Sequence, residues 1–164
     1  MSNYVLAKTP LDCVPCVIQR GILAELQGNH RLADHWLGEA VRMSPSLPQA
    51  PQDWGLVLLA RGKPDLAIVQ FEAASRLGGQ WADPLNGWGE ALLAKGDPAG
   101  AAQKFQAAAK LAPAWGRTEL LWGEALAKQG KIDEARAKWR AAAGMDLTPT
   151  ERARLQALTG KRTL

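Results

Sequence analysis

The side chains with the most obvious chemistry sit near the start of the chain. Cys13 and Cys16 form a Cys-x2-Cys pair, and with His30 and His35 they give the spacing Cys-x2-Cys-x13-His-x4-His, which formally matches a zinc finger. A zinc site needs four ligands, each within about 2.3 Å of the metal. The residues from Cys16 to Gly28 read as one continuous helix. At about 1.5 Å per residue, that helix carries Cys16 about 18 Å from the turn that holds His30. The four groups therefore cannot converge, and no metal ligand is expected. The cysteines alone suit thiol–disulfide chemistry, because a helix start favours a thiolate. The thioredoxin-like setting, however, asks for a strand before the motif, and none is evident. The plainer reading is two small apolar residues at a helix entry, both free thiols in a reducing compartment. No other catalytic constellation stands out. The histidines have no partnered Ser or Cys, and the glycines recur at helix ends rather than in a phosphate-cradling loop. Neither enzymatic activity nor a cofactor is expected.

The elements that position these residues follow a ruler. Gly21, Gly55, Gly89 and Gly123 are spaced 34 residues apart. The same interval relates Gly28, Gly62, Gly96 and Gly130, and also Ala33, Ala67, Ala101 and Ala135. Bulky Leu37, Phe71, Phe105 and Trp139 keep step, as do Ala40, Ala74, Ala108 and Ala142. Each unit reads as two helices. The second glycine ends the first helix in the left-handed conformation. Pro64 and Pro98 then fall in the first turn of the next helix, where a missing N–H costs nothing. The first glycine and the alanine are small because two backbones approach closely there. The bulky residue fills the space between neighbouring hairpins, since one hairpin cannot bury its apolar face alone. Thr148-Pro-Thr-Glu151 has the spacing of a capping box and opens a last, polar helix. The prolines Pro45, Pro48 and Pro51 delay the second unit and mark the expected hinge. Trp54, Trp88 and Trp122 share one position beside the close-packing glycine and read as inter-helix core. Trp81 and Trp115 share another, at a hairpin junction. Trp36 stands outside these columns and reads as half exposed.

The period and columns resemble the tetratricopeptide repeat, whose pattern is Trp-x2-Leu-Gly-x2-Tyr, then Ala-x3-Phe, then Pro. The third unit reads Leu85-x2-Trp88-Gly89-x2-Leu92, then Ala101-x3-Phe105, then Pro113. The early Trp is replaced by Val17, Pro51, Leu85 and Glu119, and the closing Pro survives only as Pro45 and Pro113. The resemblance implies an all-α chain, a right-handed α-solenoid of four hairpins (14–47, 48–81, 82–115 and 116–147). An N-terminal arm (1–13) precedes them, and a capping helix with a basic tail (148–164) follows. It also implies a protein–protein interaction module or scaffold, whose first helices line a concave groove. The groove positions are then Ile18, Gln52, Asn86 and Leu120 in one row, Ile22, Leu56, Glu90 and Glu124 in the next, and Glu25, Leu59, Leu93 and Ala127 beyond. Such a groove is apolar toward the N-terminal half and acidic toward the other, suited to a peptide or helix with an apolar segment followed by a basic one. A family subgroup clamps a C-terminal carboxylate with Lys, Arg and Asn in these rows. Gln52, Leu56, Glu90 and Leu120 do not supply that clamp.

Composition limits the alternatives. The chain of 164 residues is 47% hydrophobic and 22% charged, enough apolar surface for a core. Its net charge of +4 lies almost wholly at the C-terminal end, so no basic stripe for nucleic acid is evident. The N-terminus lacks the charged and apolar regions of a secretory signal. No window reaches the ~20 apolar residues of a membrane helix. The expected partner is another protein or peptide, not nucleic acid or membrane, in the cytoplasm. Two other readings stand beside this one: a thiol-redox or metal protein using Cys13 and Cys16, and a subunit that self-associates into a homo-oligomer through its uncovered N-terminal hairpin.

Overall fold

The structure is a computed structural model and describes residues 13–160. The expected arm falls outside the described residues apart from Cys13, and so do the last four positions of the basic tail. Among the described residues the fold is all-α. It has nine helices and no strand beyond an isolated backbone bridge between Trp115 and Asp146. The chain divides after Gly79 into two compact units.

The first unit holds two hairpins. Helix α1 (Val14–Leu26) pairs with α2 (His30–Met43), and α3 (Gln49–Ala60) pairs with α4 (Pro64–Gly78). The second holds two more, α5 (Asp83–Lys95) with α6 (Pro98–Leu111) and α7 (Gly116–Lys128) with α8 (Ile132–Ala143). Helix α9 (Pro149–Thr159) closes it. Gly28, Gly62, Gly96 and Gly130 have φ of 74°, 69°, 87° and 79°, so each hairpin turn uses the left-handed region that glycine enters without strain. Pro64 and Pro98 open α4 and α6 from their first turns. The capping box forms as its spacing implies, with Thr148 and Glu151 each bonding the other's backbone N–H.

The repeat columns are the core of each unit. Leu37, Phe71 and Phe105 have no exposed surface and Trp139 only 6%. Each presses on the glycine 16 positions earlier. A Cβ built on Gly55 would lie 2.7 Å from Phe71, and one on Gly89 would lie 2.5 Å from Phe105. In the first unit Val17, Ile18, Leu37, Ala40 and Ala50 cluster together. In the second, Leu120, Leu126, Trp139 and Ala142 receive Leu155 from α9, the one buried side chain of that helix.

The hinge expected at Pro45, Pro48 and Pro51 is not where the chain divides. Pro48 is the residue before α3, Pro51 lies in its first turn, and Ala50 and Pro51 are buried. Prolines in these places cost no helical hydrogen bond, so the stretch joins its neighbours within one unit. The division falls instead after Gly79, whose φ is 56°. No described helix is long and apolar enough to cross a membrane.

Candidate functional site

The first-helix faces carry the residues the sequence singles out, and burial sorts them. Ile18, Gln52, Asn86 and Leu120 are 3%, 5%, 2% and 1% exposed. Ile18, Gln52 and Asn86 pack between helices with almost no surface left for a ligand, whereas Leu120 borders the hollow described below. The cause is the helical angle, since this position faces the neighbouring first helix as well as its own partner. In the second unit Asn86 Nδ2 donates to Thr118 Oγ1 at 2.9 Å, a buried pair joining α5 to α7. The next row is more open. In the first unit Ile22 and Leu59 are half-buried and Leu56 is 41% exposed. In the second, Glu90 and Leu93 are half-buried and Glu124 is buried.

Charge on these faces is internally matched. In the first unit the Arg61 guanidinium reaches Glu25 Oε2 at 2.5 Å and both oxygens of Asp34 at 2.9 Å, tying α3 to α1 and α2. The Arg61 hydrogen bond outweighs burial and, with His30, holds the Glu25 carboxyl below its ordinary range. Asp53 moves the other way, because burial pushes its carboxyl up against the help of Gln49.

In the second unit Arg117 Nη2 donates to Glu90 Oε1 at 2.5 Å, and its Nη1 lies 3.8 Å from Glu151 of α9. Burial acts to lower the Arg117 pKa, but the charges of Glu90, Glu151 and Asp83 raise it overall. Arg154 of α9 donates to Glu124 at 2.5 Å. The arginines lie over the carboxylates. The Arg117 and Arg154 side chains are 39% and 48% exposed, against 22% for Glu90 and 10% for Glu124. The arginines are thus the more exposed partners of the carboxylates that the sequence reading singled out. The signal lay in Arg117 and Arg154, which stand 27 and 30 residues from their partners and outside the groove rows.

Between α7 and α9 these residues enclose a hollow of about 280 Å³. It is lined by Leu120 and Leu121, by the charged Arg117, Glu151 and Arg154, and by Thr148 and Thr150. A second hollow of about 540 Å³ lies where α6, α7 and α8 meet, with Trp122, Gln103 and Lys138 among its walls.

The tryptophans divide their roles. Trp54 is half-buried and donates from Nε1 to Asp34 at 3.2 Å. Lys104 Nζ lies 3.3 Å from the Trp88 ring centre, and Lys138 Nζ lies 3.4 Å from that of Trp122. These half-buried rings are lids on the packed columns as well as core. Arg20 lies 5.2 Å from the half-buried Trp36 ring.

The cysteines are not free thiols. Cys13 and Cys16 are joined as a disulfide at the start of α1, which corrects the expectation of two reduced side chains. Their Cα atoms are 5.1 Å apart, within the reach of one bridge, because the first helical turn folds position 16 back over position 13. His30 opens α2 at the far end of α1 and meets Glu25 at 3.1 Å.

Residues 52–114 match the tetratricopeptide repeat family. No curated protein sequence matches the chain. Among solved structures, yeast Tom70 aligns with a TM-score of 0.78 at 24% identity, over 89% of this chain and 31% of that one. MamA aligns at 0.72 and 19% identity, over 93% of this chain and 85% of its own. The pilF protein of Pseudomonas aeruginosa aligns at 0.73 and 17% identity, covering 90% and 69% respectively. The chain thus spans about a third of the Tom70 structure. At such identities the likeness speaks for the fold, and it agrees with the columns and the paired helices. The family match thus rests on residues 52–114, and over the rest of the chain the likeness to these structures is one of fold.

Proposed function

We propose that the chain is a protein-binding module whose first-helix faces hold a segment of another protein, extended or helical. The observation that carries this reading is the hollow between α7 and α9, lined by Leu120 and Leu121, by Thr148 and Thr150, and by two arginines with Glu151. Its Leu120 and Leu121 walls suit an apolar side chain. Arg117 and Arg154 then meet a carboxylate beside that side chain, and charge-assisted hydrogen bonds to guanidinium are the strong ones. The ligand is an apolar residue next to an acidic one. This replaces the basic segment inferred from Glu90 and Glu124, because in both pairs the arginine is the more exposed partner and keeps further N–H groups to donate.

The test is selection from a phage-displayed random peptide library against the full chain. Enriched peptides should pair Leu, Ile or Phe with an adjacent Asp or Glu. Their affinity should fall about ten- to hundredfold for Arg154→Gln, since a hydrogen bond to a charged group contributes about 1.5–3 kcal/mol. Circular dichroism confirms that the variant is folded. Selection of basic peptides, or equal binding by the folded variant, would discard the reading.

A further inference from the structure

Cys13 and Cys16 are a reactive pair that the binding surface does not use. Their place in the repeat is informative. Cys16 occupies the position of Ala50, Pro84 and Thr118, all of which are buried. Cys16 itself is only half-buried, because no described helix precedes α1. Cys13 occupies the position of Leu47, Trp81 and Trp115, and here it caps a helix. Its Sγ accepts the Cys16 backbone N–H at 3.4 Å, and its carbonyl accepts the N–H of Val17 at 3.0 Å. Elsewhere in the chain Asn29, Asp97 and Thr148 cap with oxygen. Helix α1 alone, among the described residues, caps with sulfur. Pro15 stiffens the turn between the two sulfurs, and no acidic side chain lies in it. Val14, Val17 and Ile18 fix the turn to the core of the first unit.

We propose that Cys13 and Cys16 are a thiol–disulfide exchange site that accepts two electrons from a dithiol. A substrate thiolate attacks Cys13 Sγ. The Cys13–Cys16 bond breaks, its electron pair goes to Cys16 Sγ, and that sulfur takes a proton from water. The mixed disulfide on Cys13 is then attacked by the substrate's second thiolate. Cys13 leaves as a thiolate facing the backbone N–H groups of the helix start, which favour a negative sulfur. The Cys13 thiolate takes up a second proton from water, balancing the two that the substrate thiols released, so the products are a Cys13/Cys16 dithiol and a substrate disulfide. The thioredoxin comparison asks for a strand before such a motif. The exchange itself needs only an accessible bond and a stabilised leaving thiolate, and α1 supplies both.

The experiment reacts the oxidised full chain with two dithiols, dihydrolipoamide and a reduced peptide holding two cysteines. The control is an oxidised octapeptide containing Cys-Val-Pro-Cys. Alkylation and mass spectrometry read the extent of reduction with time. The chain should react about tenfold faster than the octapeptide with at least one dithiol, and the faster arm identifies the substrate source. In a second arm Cys16→Ser leaves a single thiol at Cys13. Iodoacetamide should modify it at pH 7 about tenfold faster than the same cysteine in the peptide, as a helix N-terminus raises the thiolate fraction. If the wild-type chain is no faster than the octapeptide with either dithiol, the bond is an inert helix cap and the proposal fails.

Discussion

Gly89 meets Phe105 so closely that a single methyl has no room, with the ring edge 2.5 Å from where it would sit. Gly89→Ala should therefore destabilise the second unit by about 1–3 kcal/mol, the usual cost of overpacking. Phe105→Leu in the same chain should recover part of that loss, read by urea unfolding as a non-additive double-mutant cycle. Additive losses would place the strain elsewhere. Charge makes two further predictions in the first unit, of opposite sign. The Arg61 side chain is 5% exposed and holds Glu25 and Asp34. Arg61→Met should cost about 1–3 kcal/mol at neutral pH. Because the Glu25 carboxyl is lowered on folding, its contribution is present above its ordinary range and is lost as pH falls through the lowered value. The cost of Arg61→Met should therefore shrink in acid. Asp53 is raised by burial, so its charged form opposes folding. Asp53→Asn, which keeps an acceptor for Gln49, should stabilise the chain at neutral pH and lose that advantage as pH falls. Thermal melts of both variants across pH check the two signs.

At the scale of the helix, α9 shows how little contact an end-cap needs. Only Leu155 is buried, yet it completes the cluster of Leu120, Leu126, Trp139 and Ala142. Leu155→Ala should cost about 2–4 kcal/mol through the lost contact and the cavity. Thr148→Ala should cost about 1 kcal/mol through the lost cap. Both are read by denaturant unfolding, and a Leu155→Ala effect below that of Thr148→Ala would mean that α9 does not dock as described. The capping box, the left-handed turn glycines and the proline-initiated helices were all legible in the sequence, because each is set by residues within one turn of one another. The ion pairs were not. Arg61 reaches Glu25 across 36 residues and Arg154 reaches Glu124 across 30. No local pattern marks such partners, so the acidic half read from Glu90 and Glu124 omitted the arginines above them. The burial of Ile18, Gln52, Asn86 and Leu120 was not legible for a related reason. A helix periodicity tells which residues share a face, but not which of two adjoining faces a neighbour covers.

For the molecule as a whole, the 34-residue columns specified the class and the helix pairs, because each column is a contact repeated four times and survives variation at any one of them. They did not specify where the chain divides. The prolines at 45, 48 and 51 pointed to the first linker, whereas the compact units part after Gly79. Limited proteolysis should cut first between positions 78 and 82, where Gly79 and Gln80 are exposed. A first cut between positions 44 and 48 would restore the proline hinge. The account centres on a first-helix surface that takes an apolar residue beside an acidic one. Its most direct measurement is an amide chemical-shift titration of the 15N-labelled chain with a library-selected peptide. The largest changes should fall on Arg117, Leu121, Glu151 and Arg154 of α7 and α9. Changes concentrated instead on Gln103 and Lys138, on the second helices, would contradict it.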